Sequence, residues 1–503
     1  MHNSVNILTQ IVEKRKIDIS ESGLTFGISI PEKRTREVHP FLKTKGVILE
    51  VKRASPSKGD IKADLDSYET ALSYANCGAG AISCLTEKNY FKGTLEDLMN
   101  VCRAADDYEK QNAQSGIKVI SPAVLRKDFL LYSEEIEVSY RAGADAVLLI
   151  ARILDEKTIF KMAEEVVRLR MSALIEIREE SDLKKIKKIV KKLPSENFVY
   201  GINSRDLATF KIDLLRPCMM VNKIKKIAGD DARIIFESGV KNPECAFSAG
   251  SMGFSGLLLG EAAAKNPEIR KNLVTSFLSA VHTDNAVFWN EYASEYALEY
   301  MPNGTSKTKV KICGITRIED AELADKLGSS FLGFIFADAF PRSITRDNRL
   351  EKILPHLKKL KAKKIAVITN LDSKESLLAF KLVREKVFDA IQFHKIKYEN
   401  VSKELLSLPH YFATDSLEEY EKLISKGELR VLLDSKDIRN SASESLNDCK
   451  WLAGGINERN ISDVIKKFSP ELIDVSSGIE LENEIGIKDK NKMKELFKKR
   501  SLK

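Results

Sequence analysis

No stretch of the 503-residue chain comes near the roughly 18 consecutive apolar residues that cross a bilayer, so a membrane span is not expected. The opening segment, MHNSVNILTQIVEKRK, lacks the uninterrupted apolar core of a secretory signal, which leads us to expect a cytoplasmic protein. Cysteines at CxxC spacing are also missing. The seven present (Cys77, Cys84, Cys102, Cys218, Cys245, Cys313, Cys449) are scattered and odd in number, which argues against a disulfide framework or a zinc cluster. Nor do the six histidines (His2, His39, His282, His356, His394, His410) show the i, i+4 spacing of a helical metal site, and no metal or other cofactor is expected.

A strong charge asymmetry is absent too. Residues 1–300 hold 43 basic and 42 acidic side chains, so all but one unit of the +8 net charge comes from the remainder. Most of it sits in residues 488–503, with eight basic and two acidic residues. Phe497 is the one aromatic residue there, too few for a platform that stacks successive bases, and the segment reads as a solvated terminal helix rather than a nucleic-acid patch.

What is present is a repeated pattern. Apolar runs recur every 25–35 residues or so, separated by charged stretches of helical period, as βαβ units require. In the first half they are VILEVKR, AISCLTE, IKVISPAVL, DAVLLIA, SALIEI, FVYGIN, RIIFES and GFSGLLLG. In the second they are KVKIC, FLGFIFA, KIAVITN, FDAIQFH, HYFATD, RVLLDS, WLAGGI and LIDVSSG. Each set of eight predicts a closed parallel barrel, and 503 residues suit two α/β barrels of the TIM type in tandem. Boundaries are expected at 1–277 for the first barrel, 278–307 for a helical connector and linker, and 308–503 for the second. An amphipathic helix over residues 6–19 is expected either to cap the floor of the first barrel or to flank its mouth.

In such barrels chemistry sits where strands end. The first half places Glu50 and Lys52 at strand one, Lys127 after strand three, Glu176 on five, Asn203 on six, and Glu237 with Ser238 on seven. Charges at inward positions are costly unless paired or catalytic, and this set can supply a proton donor, an acceptor and orienting ion pairs. Ser55, Gly239 and Gly260 are candidate phosphate contacts.

The motifs ILEVKRASPSKG, LRKDF, LIEI, GINSRDL and ESG resemble, in order, those of indole-3-glycerol phosphate synthases. That resemblance implies a (β/α)8 barrel with an extra N-terminal helix. It also implies closure of carboxyphenylamino-deoxyribulose 5-phosphate to an indole with loss of carbon dioxide and water. Lys127 would be the general acid, Glu50 would position the lysines, and Glu176 would assist dehydration with Lys52 as its partner or as the second acid. Asn203 and Glu237 would hold substrate, Arg205 would shape the mouth or meet the substrate carboxylate, and Ser55, Ser238, Gly239 and Gly260 would line the substrate and phosphate site. The GEAAAK segment departs from the family, which often has serine near that glycine.

In the second half a thiol, Cys313, ends strand one and a carboxyl group, Asp434, ends strand six, a pairing suited to proton shuttling once both are pKa-tuned. KICGIT, GFIFADAFPRSI, QFH, LLDS, LAGGI and DVSSGIE resemble phosphoribosylanthranilate isomerases. The implied reaction is an Amadori rearrangement: Cys313 takes the C2′ proton and Asp434 protonates the opening furanose oxygen or stabilises the resulting imine. Arg342 would bind the anthranilate carboxylate, and His394, Gly454, Gly455, Ser477 and Gly478 would contact substrate and phosphate. Departures are the KDIRNSASESLNDCKW segment in place of a glycine-rich loop, Phe340 in place of serine before Pro341-Arg342, and Lys395 in place of glycine.

One reaction's product is the other's substrate, so the two resemblances together select adjacent steps of tryptophan biosynthesis. The expected ligands are small phosphorylated anthranilate–sugar adducts, with no nucleic-acid or membrane partner and a monomer as the simplest state. Two alternatives are a different pair of phosphate barrels, which would call for paired strand-end aspartates, and a second barrel acting only as a scaffold.

Overall fold

In the computed structural model the described residues are 7–56, 59–205, 212–299, 308–435 and 449–500. The chain forms two compact units, Met1–His282 and Thr283–Lys503. Each contains a closed barrel of eight parallel strands.

In the first unit the barrel strands are Gly46–Val51, Ala81–Leu85, Ala123–Lys127, Ala146–Ile150, Ser172–Ile177, Phe198–Asn203, Ile234–Glu237 and Gly256–Leu259. They neighbour one another in chain order, and the barrel closes where Gly46 pairs with Gly256 and Ile48 with Ala81. The third strand starts only at Ala123, not at the beginning of its apolar run. Pro122 lacks an N–H for the ladder, and Ile117 and Ile120 lie exposed.

Side chains alternate across a strand, so one face of each strand builds the interior in layers. Ile48, Leu125, Leu174, Val199, Ile235 and Leu258 belong to one buried apolar cluster. Two residues further along, the same faces present Glu50, Lys127, Glu176, Gly201, Glu237 and Gly260. Below them, Phe41 and Leu42 plug the floor.

The N-terminal helix Ile7–Ser22 flanks the mouth. Its Arg15 donates to Asp128 at 2.6 Å and is paired with Glu135, and its Asp18 accepts from Asn89 at 2.6 Å. Asp128 directly follows the inward Lys127, so the helix is tied to a strand end bearing a candidate catalytic group.

The second barrel comprises Lys309–Cys313, Phe331–Ile335, Lys363–Ile368, Ala390–His394, His410–Thr414, Val431–Asp434, Trp451–Ala453 and Leu472–Val475. Its outward faces, such as Val310, Ile312, Leu332, Phe334 and Ile473, pack in one large cluster beneath the helices. Its floor is aromatic. Helix Asp284–Glu299 brings Trp289 to 5.6 Å from the Trp451 ring and Tyr292 to 6.0 Å from Phe331, and the Trp451 indole donates to the Tyr292 hydroxyl at 3.2 Å. This helix is therefore part of the second unit. Among the described residues no helix is long and apolar enough to cross a membrane, and no cluster of potential metal ligands is found.

Candidate active sites

At the mouth of the first barrel the strand-end charges meet. Glu50 accepts from Lys52 at 2.6 Å through Oε1 and pairs with Lys127 at 3.1 Å through Oε2. Lys127 also reaches Glu237 Oε2 at 3.4 Å. Burial works against ionisation of Glu50, but the Lys127 and Lys52 ammoniums outweigh it and hold the carboxyl at about 2. Burial likewise opposes the charge on Lys127, yet Glu50, Glu237 and Glu176 keep it firmly protonated. Glu176 goes the other way: burial, and then the nearby Glu237 charge, push it up to about 8. Glu237 is raised as well, chiefly by burial. Two carboxyl groups pushed in opposite directions beside a fixed ammonium make an acid–base site with separate roles for each.

Gly260 belongs to this cluster, since a Cβ there would lie 2.6 Å from Glu50 Oε1 and 2.8 Å from Lys52 Nζ. Asn203 is in register with Glu237, and its Oδ1 accepts the Arg205 N–H at 3.0 Å. Ser238 and Gly239 adopt consecutive left-handed conformations (φ 69° and 85°), and the Ser238 carbonyl accepts from the Ser204 hydroxyl at 2.9 Å. Arg205 forms an isolated bridge with Ile212, across residues 206–211, which lie outside the described set. Ser55 stands on a small hairpin, Ala54–Ser55 against Gly59–Asp60, and among the described residues no hydrogen bond joins its side chain to the charged cluster. What sequence reading missed is the anchor of that hairpin: Arg53 grips Asp97 at 2.6 and 2.8 Å. The available signal was the Thr94-x-x-Asp97 capping box opening helix Leu95–Gln114.

In the second barrel Cys313 is buried at the end of its strand, and its Sγ accepts from Lys311 at 3.4 Å. Burial pushes the thiol up, against the pull of Lys311. His394 is held below its usual range by burial and by Lys311, and its Nδ1 lies 3.3 Å from Gln392 Nε2. Asp434 ends the sixth strand, in register with Ala453, and its charge raises the buried Asp474, for which burial is the larger cause. Arg342 gives two donors to Glu480, both at 2.7 Å, so that carboxylate already occupies one edge of its guanidinium.

Gly454 and Gly455 (φ 112° and 61°) turn the chain after the seventh strand, and Ser477–Ile479 forms a short turn after the eighth. These turns touch, since a Cβ on Gly478 would collide with the Ile456 carbonyl. They stand where barrels of this architecture commonly bind phosphate. Lys395, the non-glycine after His394, takes the left-handed conformation at φ 55° and pairs with Asp415 at 2.5 Å. Residues 436–448, the altered loop after Asp434, lie outside the described set.

Two closed parallel barrels, each gathering acid–base groups at the carboxyl ends of its strands, define a tandem (β/α)8 enzyme. The chain belongs to the indole-3-glycerol phosphate synthase family, whose model matches residues 8–275, and it carries behind that an N-(5′-phosphoribosyl)anthranilate isomerase domain matched over residues 310–499. It is 34% identical to the indole-3-glycerol phosphate synthase of Aliarcobacter butzleri, over 53% of this chain and 97% of that protein. It is also 34% identical to the synthase of Bacillus mycoides, over 52% of this chain and 94% of that protein. A multifunctional tryptophan biosynthesis protein of Schizosaccharomyces pombe is 28% identical over 97% of this chain, and the chain spans 65% of that relative's length.

Proposed function

We propose that the chain carries out two consecutive steps of tryptophan biosynthesis, the second barrel acting first. That barrel converts N-(5-phosphoribosyl)anthranilate to 1-(2-carboxyphenylamino)-1-deoxyribulose 5-phosphate. Cys313 as thiolate takes the C2′ proton, Asp434 protonates the ring oxygen as the furanose opens, and Arg342 faces the anthranilate carboxylate. The adjoining turns at Gly454–Gly455 and Ser477–Gly478 offer donors to the phosphate, with His394 at the mouth.

The first barrel then closes the indole ring. Lys127 protonates the ribulose carbonyl as the aromatic carbon attacks C2′, carbon dioxide leaves, and Glu176 serves the proton transfers that expel water. Glu50 holds Lys52 and Lys127 in register, Lys52 serves as the partner of Glu176 or as the second acid, and Asn203, Glu237 and Arg205 contact substrate. Ser55, Ser238, Gly239 and Gly260 line its phosphate end. The observation that carries this reading is Lys127, bound between Glu50 at 3.1 Å and Glu237 at 3.4 Å, with Glu176 raised to about 8 beside it. Such an enzyme works in the cytoplasm on diffusible phosphorylated substrates and needs no partner chain for its chemistry.

A scaffolding second barrel is the competing reading, motivated by the Glu480 carboxylate already seated on Arg342. The deciding experiment feeds phosphoribosylanthranilate to the purified chain and follows both products in one time course. Lys127→Ala should cost about 10²–10⁴-fold in indole-glycerol phosphate formation and spare isomerisation. Cys313→Ala and Asp434→Asn should abolish isomerisation; turnover that survives both changes would sink the acid–base assignment.

A further inference from the structure

An ammonium inside a barrel is expensive unless its donors are met. Lys311 is fully buried, two residues before Cys313 on the same strand, so both side chains point inward. Its Nζ donates to Asp474 Oδ2 at 2.5 Å, to Gln392 Oε1 at 2.6 Å and to Cys313 Sγ at 3.4 Å. Three acceptors therefore meet its three donors. The Tyr411 hydroxyl donates to the same Gln392 oxygen at 2.9 Å and so fixes the amide. Gly333 on the neighbouring strand leaves the room: a Cβ there would lie 2.7 Å from Cys313 Sγ and 2.9 Å from Lys311 Cε. Asp474 Oδ1, by contrast, is buried with no hydrogen-bond partner among the described residues.

We infer that Lys311 is a positioning residue of the second site: pinned by Asp474 and Gln392, its ammonium holds the Cys313 sulfur and stabilises it as the thiolate base, with Asp474 as the counter-ion that moderates this pull. The inference deepens, and rests on, the isomerase reading of this barrel. Other charged groups also face the sulfur. Lys488 acts on it from the short strand Glu484–Lys488 and Arg342 from the loop after the second barrel strand, both already paired with Glu480, while the Tyr411 phenol on the fifth strand is held protonated by burial. Among the described residues Lys311 alone hydrogen-bonds to the sulfur.

The two partners pull on Cys313 in opposite senses, and that makes a sign test. In the full chain, the pH dependence of Cys313 alkylation by iodoacetamide is followed by mass spectrometry of the peptide containing it. Lys311→Met should move the midpoint up by about one pH unit or more, cutting the thiolate at neutral pH about tenfold. Isomerase kcat should fall in proportion, with KM nearly unchanged. Asp474→Asn should move the midpoint down, and Lys311→Arg should stay near wild type. A midpoint that does not move in Lys311→Met, or that moves the same way in both variants, overturns the inference. Should Lys311→Met not fold, Asp474→Asn decides alone: a downward shift supports the inference, while no shift or an upward one overturns it. A wild-type chain without isomerase activity would sink the isomerase reading but leave the alkylation comparison intact.

Discussion

Gly201 and Glu237 compete for one space: a Cβ on Gly201 would collide with Glu237 Oε1. The sixth strand carries glycine where the seventh turns its carboxylate inward, and the other oxygen of that carboxylate faces Lys127 at 3.4 Å. Gly201→Ala should push Glu237 off Lys127 and lower synthase kcat/KM about 10²-fold, the usual cost of displacing a catalytic group by an ångström or so. Isomerase activity, assayed separately on phosphoribosylanthranilate, should not change; equal losses in both would argue for misfolding.

Glu176 and Glu50 set opposite pH dependences. Glu176 sits at about 8 in the folded chain against an ordinary value of 4.5, so the native state binds its proton more tightly, and this group's contribution to stability falls as pH rises from 4.5 to about 8. Glu50, held at about 2, contributes stability above pH 4.5 that is lost as pH falls towards 2. Synthase kcat/KM should therefore decline above about pH 8, and that limb should vanish in Glu176→Gln. The variant's thermal stability should gain on wild type between pH 4.5 and 8 and level off above; parallel melting curves across that range would refute the shift.

Arg342 needs Glu480 to keep its aim. With two charge-assisted bonds at 2.7 Å removed, Glu480→Gln should free the guanidinium to wander and raise isomerase KM about tenfold or more, with kcat nearly kept. Steady-state kinetics that show a lower KM would mean instead that Glu480 competes with the substrate carboxylate.

Trp289 should matter to one unit only. It is nearly fully buried against Trp451, and Trp289→Ala should cost the second barrel about 3–5 kcal/mol. In denaturant, loss of isomerase activity should move to lower concentration while loss of synthase activity stays in place.

Much of this was written plainly in the sequence. Recurring apolar runs, separated by charged stretches of helical period, exposed both barrels, and inward charges such as Glu50, Lys127 and Glu237 stood out because apolar runs end on them. What was hidden depends on distance along the chain. Lys311 meets Asp474 across 163 residues, and Arg15 meets Asp128 across 113, so no local pattern couples them. The hairpin at Ala54–Ser55 and Gly59–Asp60 was also invisible, because two-residue strands are too short for any periodicity. The left-handed Lys395 shows that the backbone shape is kept where the glycine is not, at some cost in strain.

The aromatic floor of the second barrel has a consequence for how the chain is made. Tyr292 precedes its partner Trp451 by 159 residues, and at about 5–20 residues per second a ribosome needs roughly 8–30 s to cover that interval. Throughout it, the greasy face of helix Asp284–Glu299 has been synthesised and the wall it must close has not. Nascent chains halted in that window should recruit holding chaperones, and those released after the last strand should not.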